Sequence, residues 1–537
     1  MINVRKPTDG TDICTTNECK IAGSALKENL NDSVDPCHDF YAFACGGWEA
    51  SHRIPNDKDR FNSIDILDDK LLDFMRISLS KNWSTSDSNA VTYASDLYKA
   101  CIDEETRNAR GMTPLIEALK SVGGWPIMGQ SDGYNDSEFD WKDAFVKHVI
   151  KSDSSPVFAL TVGVDANDTL VNRFYFGRSF FGLHRDILLN PDDYPGTNQA
   201  YKSFILKSAL LLGAKHNLQT QRDITDIIKF ETKLAQFALP EEDKQNPIFW
   251  YNRMTFKEFN ELTDNRVDWM NITNTVYNEL NETIRMKGND LVIIQDINYF
   301  INVTQLLTTT PKRVIANYFG WDFVRHMGAH TDKRFRDITF KFNQIFTEAE
   351  KDVELWRTCM DSISTKLPYV LSRLYVEKQF TQNDRQEAIN YIRDVKKAYY
   401  ELIEGNDWLD TNTKNNKQRV NPKKWPGSPS DVNAYHDFTS NSIIIPATIL
   451  KSPLFYSKGP AAVNYGAMGS AIGHELTHGL DDSGVKYDSN GNLKNWFTEE
   501  AKERFDEKEN CFVKQYSNEY VPEVDMNLNG RNTLGEN

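Results

Sequence analysis

The sequence has no apolar run long enough to cross a membrane. A membrane-spanning helix needs roughly 20 consecutive, mostly apolar residues, and no stretch of the 537 residues approaches this. The opening residues, 1–7, also lack the apolar core of a secretory signal peptide. Taken alone, these two absences predict a cytosolic protein.

Positive charge is in deficit. The chain has 62 Lys and Arg against 77 Asp and Glu, which gives a formal net charge of −15. Because an acidic surface repels phosphate groups, we expect no nucleic-acid partner. The 39% hydrophobic and 26% charged residues are ordinary for a globular protein, and the length predicts two or more domains.

Cysteine is scarce, and none of the seven cysteines belongs to a C-x-x-C pair, which argues against a cysteine metal site or a redox motif. An odd number in an extracellular protein implies a free thiol, an intermolecular bond or a missing partner. N-x-[ST] sequons occur at Asn31, Asn82, Asn135, Asn167, Asn271, Asn281 and Asn302. These features favour a glycosylated ectodomain over a cytosolic protein, with any export signal or membrane anchor outside this sequence.

The periodicity of apolar residues predicts a mainly helical chain. Helical spacing dominates from about 60 to 150 and again up to about 400, without an internal repeat. Two β-prone runs, 157–162 and 170–176, predict a hairpin. Residues 406–431 are rich in Asn, Lys, Pro, Gly and Ser and predict a linker, and 442–446 predicts a short strand before Pro446.

The stretch Gly473–Gly479 contains the pattern H-E-x-x-H. On a helix, His474 and His478 lie one turn apart on the same face, where two imidazoles can bind one zinc ion. Glu475 lies beside them and can act as general base toward the attacking water. The preceding run, 464–472, is uncharged and small or apolar, as expected of a helix packed closely under a site. The sequence therefore predicts a catalytic zinc site.

Two histidines do not complete such a site, because catalytic zinc usually takes three protein ligands. A metzincin would need Gly and His downstream, where this chain has Asp481 and Gly484, so that option is excluded. The remaining option is a glutamate on a later helix. Spacing alone does not choose among Glu499, Glu500, Glu503 and Glu536.

Two further sets of residues are possible site candidates. His326 and His330 have the same spacing as the first pair, but Met327 stands where a base is needed, so we expect no metal there. Asp481 and Asp482 could orient His478, but two acids after a helix are also ordinary turn residues. Both stay outside the predicted catalytic set.

Seven short segments, distributed from end to end, form one pattern. They are Val34–Tyr41, Ala44–Trp48, Leu97–Cys101, Arg373–Val376, Val432–Tyr435, Gly473–Asp482 and Asn532–Asn537. In this order they resemble the neprilysin and endothelin-converting-enzyme family of zinc metalloendopeptidases. The resemblance implies that His474, His478 and Glu536 bind one Zn²⁺ per chain and that Glu475 activates the water.

The resemblance also implies substrate-binding residues. Asn433 and Ala434 match the strand segment that pairs with the backbone of the bound peptide, a form of β-augmentation. Arg60 matches, less closely, an arginine that contacts the C-terminal side of the substrate. The expected substrates are oligopeptides, cleaved on the amino side of a hydrophobic residue.

The fold implied by the resemblance is mainly α with small β elements. A thermolysin-like catalytic domain, 371–537 together with the cysteine-rich segment 1–49, is expected to be capped by a large helical domain, 50–370. Such a cap encloses a cavity that admits oligopeptides rather than folded proteins. The expected localisation is extracellular, as the ectodomain of a type II membrane protein or as a secreted protein.

The cysteines are also interpreted through the resemblance. It implies the bonds Cys14–Cys19 and Cys101–Cys359, and it pairs Cys37, Cys45 and Cys511 with cysteines beyond residue 537. The family's histidine-orienting Asp, its oxyanion-binding His and a substrate-binding Arg would also fall there. These points predict a fragment of a longer chain. The segment 411–431 is also shorter than in the family.

Two alternative functions stay open at this point. A non-catalytic family member would keep the fold and act as a peptide- or protein-binding ectodomain. A different H-E-x-x-H enzyme, such as an aminopeptidase, would need a free substrate N-terminus, whereas an endopeptidase cuts blocked peptides.

Overall fold

A computed structural model of the chain describes residues 14–83, 88–129, 133–152, 154–280, 283–411, 428–522 and 524–536. The sequon at Asn281, the opening residues 1–7 and most of the predicted linker 406–431 lie outside the described residues. The fold is mainly helical with small sheets, as predicted. No helix in the described ranges is long and apolar enough to cross a membrane.

The helices follow one another along most of the chain. Those of the first part span Asn17–Asn29, Phe40–Ser51, Ser63–Leu79, Asn89–Ile102, Glu104–Arg110, Thr113–Ser121 and Trp141–Ser152. Those of the middle part span Arg185–Leu189, Pro195–Leu211, Leu218–Phe237, Pro247–Trp250, Phe256–Leu262, Trp269–Glu279, Ile297–Thr309, Lys312–Met327 and Lys333–Asn343. Those of the last part span Leu355–Lys366, Pro368–Gln379, Gln382–Glu404, Ala461–Gly466, Met468–Thr477 and Glu499–Ser517. Short 3₁₀ helices span Pro126–Met128, Glu242–Gln245, Gly328–His330, His478–Leu480, Gly484–Lys486 and Leu534–Glu536.

The predicted hairpin is present as β1 (Phe158–Asp165) and β2 (Asp168–Arg178), which pair antiparallel. They join β3 (Asn252–Thr255) and β4 (Leu291–Ile294) in a sheet of order β1-β2-β4-β3, in which β2 and β4 run parallel. The four strands lie among the helices of the predicted cap, 50–370. Only the hairpin of this sheet was predicted; the pairing with β3 and β4 was not.

Two smaller sheets lie in the last part of the chain. β5 (Tyr435–Asp437) pairs antiparallel with β6 (Ser442–Ile444), so the predicted strand before Pro446 is confirmed. β7 (Tyr520–Val521) pairs antiparallel with β8 (Met526–Asn527).

The largest hydrophobic core lies within residues 112–342 and is rich in aromatic side chains. Trp269 is fully buried in it and stacks on Phe259 with ring centroids 4.9 Å apart. A second core joins the helices of residues 63–102 to those of residues 355–379. The predicted cap, 50–370, contains the first core, but its outer boundary at residue 370 stays a prediction.

The disulfides Cys14–Cys19 and Cys101–Cys359 are both present, as the resemblance implied. Cys359 is fully buried in the second core, so the Cys101–Cys359 bond links two helices that are 258 residues apart in sequence. Cys37, Cys45 and Cys511 are free thiols.

A third core positions the helix that contains the H-E-x-x-H pattern, which is called the site helix below (Met468–Thr477). Its inner face buries Met468 and Ile472 against Ala388 of helix Gln382–Glu404 and against residues around β5 and β6. Helix Gln382–Glu404 begins with a capping box in which Thr381 and Asp384 exchange hydrogen bonds.

Candidate metal centre

The site helix places its two histidines at its C-terminal end. His474 is in the last turn, and His478 follows directly as the first residue of a 3₁₀ turn. The Nε2 atoms of the two rings are 3.0 Å apart, and the ring planes are inclined by 76°. The predicted one-turn spacing therefore brings one nitrogen of each ring to a common point.

Glu536 completes the cluster from a distant part of the sequence. Its Oε2 lies 3.2 Å from His474 Nε2, and its Oε1 lies 3.6 Å from His478 Nε2. Glu499, Glu500 and Glu503 are exposed on helix Glu499–Ser517 and do not line the site. Of the four glutamates that spacing allowed, Glu536 is the one that the structure places beside the histidines.

The donor set fits zinc. Zinc takes imidazole nitrogen and carboxylate oxygen at about 2.0–2.2 Å, so tetrahedral ligand atoms lie roughly 3.4 Å apart. The three separations here, 3.0, 3.2 and 3.6 Å, are close to that value. Across the described part of the chain, no other three His, Cys, Asp or Glu residues bring ligand atoms within 4.8 Å of one another. The pair His326 and His330 belongs to no such group among these residues.

Glu475 lies on the buried side of the cluster. Its side chain is almost fully buried, and its Oε2 has no hydrogen-bond partner among the described residues. Burial raises the pKa of Glu475, while the imidazoles of His478 and His474 act in the opposite direction. A buried acceptor without a partner is costly, so this oxygen is suited to accept a hydrogen bond from water or substrate.

Asp481 orients one of the histidines. Its Oδ2 lies 2.8 Å from Nδ1 of His478, the nitrogen that points away from the cluster. Its Oδ1 accepts hydrogen bonds from the backbone N–H groups of Ser483 and Gly484, which fix the carboxylate. Asp481 was outside the predicted catalytic set, because a sequence alone does not distinguish an orienting acid from a turn residue.

Gly535 allows the segment of Glu536 to pass close to the site helix. A Cβ atom at Gly535 would lie 2.8 Å from Asp481 Oδ2 and 3.0 Å from Asp482 Oδ1. Since side-chain carbon does not tolerate such contacts, the glycine permits the approach that brings the Glu536 carboxylate to the histidines.

His436 was not singled out from the sequence. It is the central residue of β5, and its Nδ1 lies 2.8 Å from the backbone oxygen of Glu475. Burial lowers the pKa of His436, so the ring is neutral at ordinary pH. Nothing local in the sequence marks it, because the contact joins two segments that are 39 residues apart.

The cluster opens into a cleft of about 500 Å³. Its lining includes Asn433 and Ala434, which directly precede β5, and residues 532–536. Within the described residues β5 pairs on one edge only, with β6. Arg60 is exposed in the segment before helix Ser63–Leu79 and does not line this cleft. Its assigned role stays a prediction.

Comparisons with known proteins agree with the site. Two sequence profiles of peptidase family M13 match the chain, one over residues 36–419 and one over residues 433–537. Neprilysin-1 of Trittame loki is 32% identical, with 98% of this chain and 81% of that protein covered. Endothelin-converting enzyme 1 of Homo sapiens is 26% identical, with 100% and 76% covered.

Solved structures share the fold. The zinc metalloprotease Zmp1 of Mycobacterium tuberculosis, in complex with an inhibitor, matches with a TM-score of 0.82 at 20% identity, covering 95% of this chain and 83% of that chain. PepO of Lactobacillus rhamnosis matches with a TM-score of 0.78 at 18% identity, covering 93% and 84%. With both M13 profiles matched along almost the whole length, the chain belongs to peptidase family M13, the family of neprilysin and endothelin-converting enzyme.

Proposed function

We propose that this chain is a zinc-dependent endopeptidase that hydrolyses oligopeptides on the amino side of hydrophobic residues. The observation that supports this most is the convergence of His474, His478 and Glu536 beside the buried carboxylate of Glu475. The membership of this chain in a family of zinc metallopeptidases agrees with this chemistry.

In this proposal His474, His478 and Glu536 hold one zinc ion, which when bound polarises the scissile carbonyl as a Lewis acid. Glu475 accepts a proton from the attacking water at its carboxylate and passes that proton to the leaving amine. Burial supports this role, because a carboxylate with a raised pKa is a better proton acceptor and a usable proton donor.

The peptide is proposed to bind as an added strand. Asn433 and Ala434 line the cleft next to the unpaired edge of β5, where main-chain hydrogen bonds can hold an extended substrate. Arg60 is proposed to contact the C-terminal side of that substrate. The helical region 50–370 is proposed to cap the catalytic part, 371–537 with 1–49, and so to admit oligopeptides rather than folded proteins.

The proposed location is the cell surface or the extracellular medium. Two disulfides favour an oxidising compartment. The sequon residues Asn82, Asn135 and Asn167 are exposed and accessible to glycans.

The test is a comparison of wild type with Glu475→Gln, Glu536→Gln and Glu499→Gln in two measurements. Zinc content is measured by mass spectrometry, and cleavage is measured with an internally quenched peptide blocked at both ends. We expect Glu475→Gln to retain about one zinc per chain and to lose at least ~100-fold in kcat. Glu536→Gln should lose zinc. Glu499→Gln changes a glutamate that does not line the site, so it is the control and should behave as wild type.

Two results would contradict the proposal. Wild type that binds zinc but cleaves no blocked peptide would instead support the non-catalytic binding protein. Cleavage of peptides with a free N-terminus alone would support an aminopeptidase.

A further inference from the structure

The hydrogen bond between His436 and Glu475 connects two parts of the cleft that are separate in sequence. The site helix ends at Thr477 and continues directly into the 3₁₀ turn His478–Leu480, so Glu475 lies in the last turn of the helix. The ring of His436 reaches the main-chain carbonyl of Glu475 from β5, with Nδ1 2.8 Å from the oxygen. A side chain from another element therefore bonds to the last turn of the site helix at the residue proposed as general base.

The direction of this hydrogen bond fixes the tautomer of the ring. A carbonyl oxygen can only accept, so Nδ1 of His436 must carry the hydrogen. The bond is therefore a directional link between the ring and the main chain of Glu475.

Gly479 makes room for the same ring. A Cβ atom at Gly479 would lie 3.3 Å from His436 Cε1, which is closer than side-chain carbons normally approach. The ring thus lies close to two positions of residues 475–479, which are called the site segment below: the carbonyl of Glu475 and Gly479. These positions are on both sides of His478 in the sequence.

β5 also forms the other wall of the cleft. Asn433 and Ala434 directly precede the strand and line the cleft together with His436 and Glu475. A rigid link between His436 and Glu475 therefore sets the distance between the base and the segment proposed to bind the peptide. Reacting groups need such fixed distances, since a displacement of about 1 Å can cost roughly 100-fold in rate.

We propose that His436 is a positioning residue for Glu475, which holds the general base in register with the peptide-binding segment through the bond from its Nδ1–H to the Glu475 carbonyl. This inference rests on the proposed endopeptidase function. The hydrogen bond of His436 goes to the main-chain carbonyl of Glu475 and not to its carboxylate, so the proposed effect is transmitted through the backbone.

The decisive comparison is between His436→Asn and His436→Leu. Asparagine has an amide N–H near the place of Nδ1 and can keep the bond, whereas leucine fills similar space without a donor. We expect His436→Leu to lower kcat roughly 10- to 100-fold with KM changed less than about twofold. His436→Asn should recover most of kcat, and zinc content should equal that of wild type in both variants.

The matched control is His326→Leu. His326 also has its Nδ1 2.8 Å from a backbone carbonyl oxygen four residues earlier in the chain, that of Asp322, in helix Lys312–Met327. This variant removes an equivalent bond outside the cleft, so it should leave kcat and KM as in wild type.

A second measurement does not depend on activity. Hydrogen exchange of residues 474–480 is followed in the metal-free protein, where we expect His436→Leu to speed exchange roughly fivefold. His436→Asn should exchange as wild type. Gly479→Ala should speed exchange when it is made alone. Made together with His436→Leu, it should speed exchange little further, because both changes act on the same contact.

Several outcomes would overturn the inference. They are a loss of kcat in His436→Asn equal to that in His436→Leu, unchanged exchange in His436→Leu, or an effect on KM rather than on kcat. If wild type itself cleaves no peptide, the proposed function fails, and the exchange data alone still decide whether His436 fixes the site segment.

Discussion

Asp481 fixes the ring of His478, one of the two histidines of the cluster. It accepts from Nδ1 of His478 at 2.8 Å, so it selects the tautomer that leaves Nε2 free to bind a cation. Asp482 is adjacent, lines the same cleft and has no such contact with a ring nitrogen among the described residues. The two acids therefore form a natural pair for comparison.

We predict that Asp481→Asn weakens zinc binding roughly 10- to 100-fold, the usual cost of losing an orienting carboxylate. Asp482→Asn should change zinc affinity far less. The measurement is a competition titration with a zinc chelator at neutral pH. Equal losses in the two variants would show that negative charge near the site matters, rather than the bond to His478.

At the scale of single residues, the sequence predicted the site unevenly. His474, Glu475 and His478 form a local pattern whose chemistry can be inferred from spacing. Glu536 lies 58 residues beyond His478, and spacing alone did not distinguish it as the third ligand from three other glutamates. Only the resemblance to a known family singled it out.

At the scale of secondary-structure elements, local sequence signals were sufficient to predict structure formed by neighbouring residues. The hairpin of β1 and β2 was predicted from two β-prone runs and is present. The pairing of β2 with β4 was not, because it joins Phe174 to Val292 across more than a hundred residues. Non-local pairing leaves no pattern in either strand.

The turn between β1 and β2 is more than a connection. Thr169 donates a backbone hydrogen bond to Oδ1 of Asn492 at 3.2 Å and a hydroxyl hydrogen bond to the carbonyl of Asn490. Leu493 donates a backbone hydrogen bond to the carbonyl of Ala166. The hairpin of β1 and β2 thus docks on the turn at residues 490–493, which follows the site helix in sequence.

We predict that Asn492→Ala loosens this docking, because it removes the acceptor for the Thr169 N–H. The expected cost is about 1 kcal/mol, measured as faster hydrogen exchange of residues 165–170 and 488–493. Asn490→Ala is the matched control, since Asn490 contributes only its main-chain carbonyl to the contact. Equal exchange in the two variants would contradict a specific role for the Asn492 side chain.

At the scale of the whole molecule, stability in acid depends on groups buried in the largest core. His148 is almost fully buried, between the rings of Phe319 and Phe323, and neither ring nitrogen has a partner among the described residues. Burial lowers the pKa of His148 to about 4, while Asp322 acts to raise it and His326 to lower it. The folded molecule therefore keeps this ring neutral.

The sign of the resulting pH dependence follows from the two pKa values. An unfolded histidine titrates near 6.5, so between about pH 6.5 and pH 4 the unfolded chain binds the extra proton and the folded chain does not. The free energy of unfolding contributed by His148 thus falls as the pH falls through this window, by about 3 kcal/mol in total. Above and below the window its contribution is constant.

We predict that His148→Leu removes this part of the acid sensitivity. Because leucine has no titratable group and leaves no unpaired nitrogen in the core, the variant should unfold at a higher temperature than wild type, and the difference should grow from pH 6.5 to pH 4. The measurement is the unfolding temperature of both proteins across that range. His216→Leu, at an exposed position, is the control and should follow wild type. A difference in unfolding temperature that stays constant across this pH range would contradict the prediction. It would mean that leucine only improves packing and that protonation of His148 in the unfolded chain does not limit stability in acid.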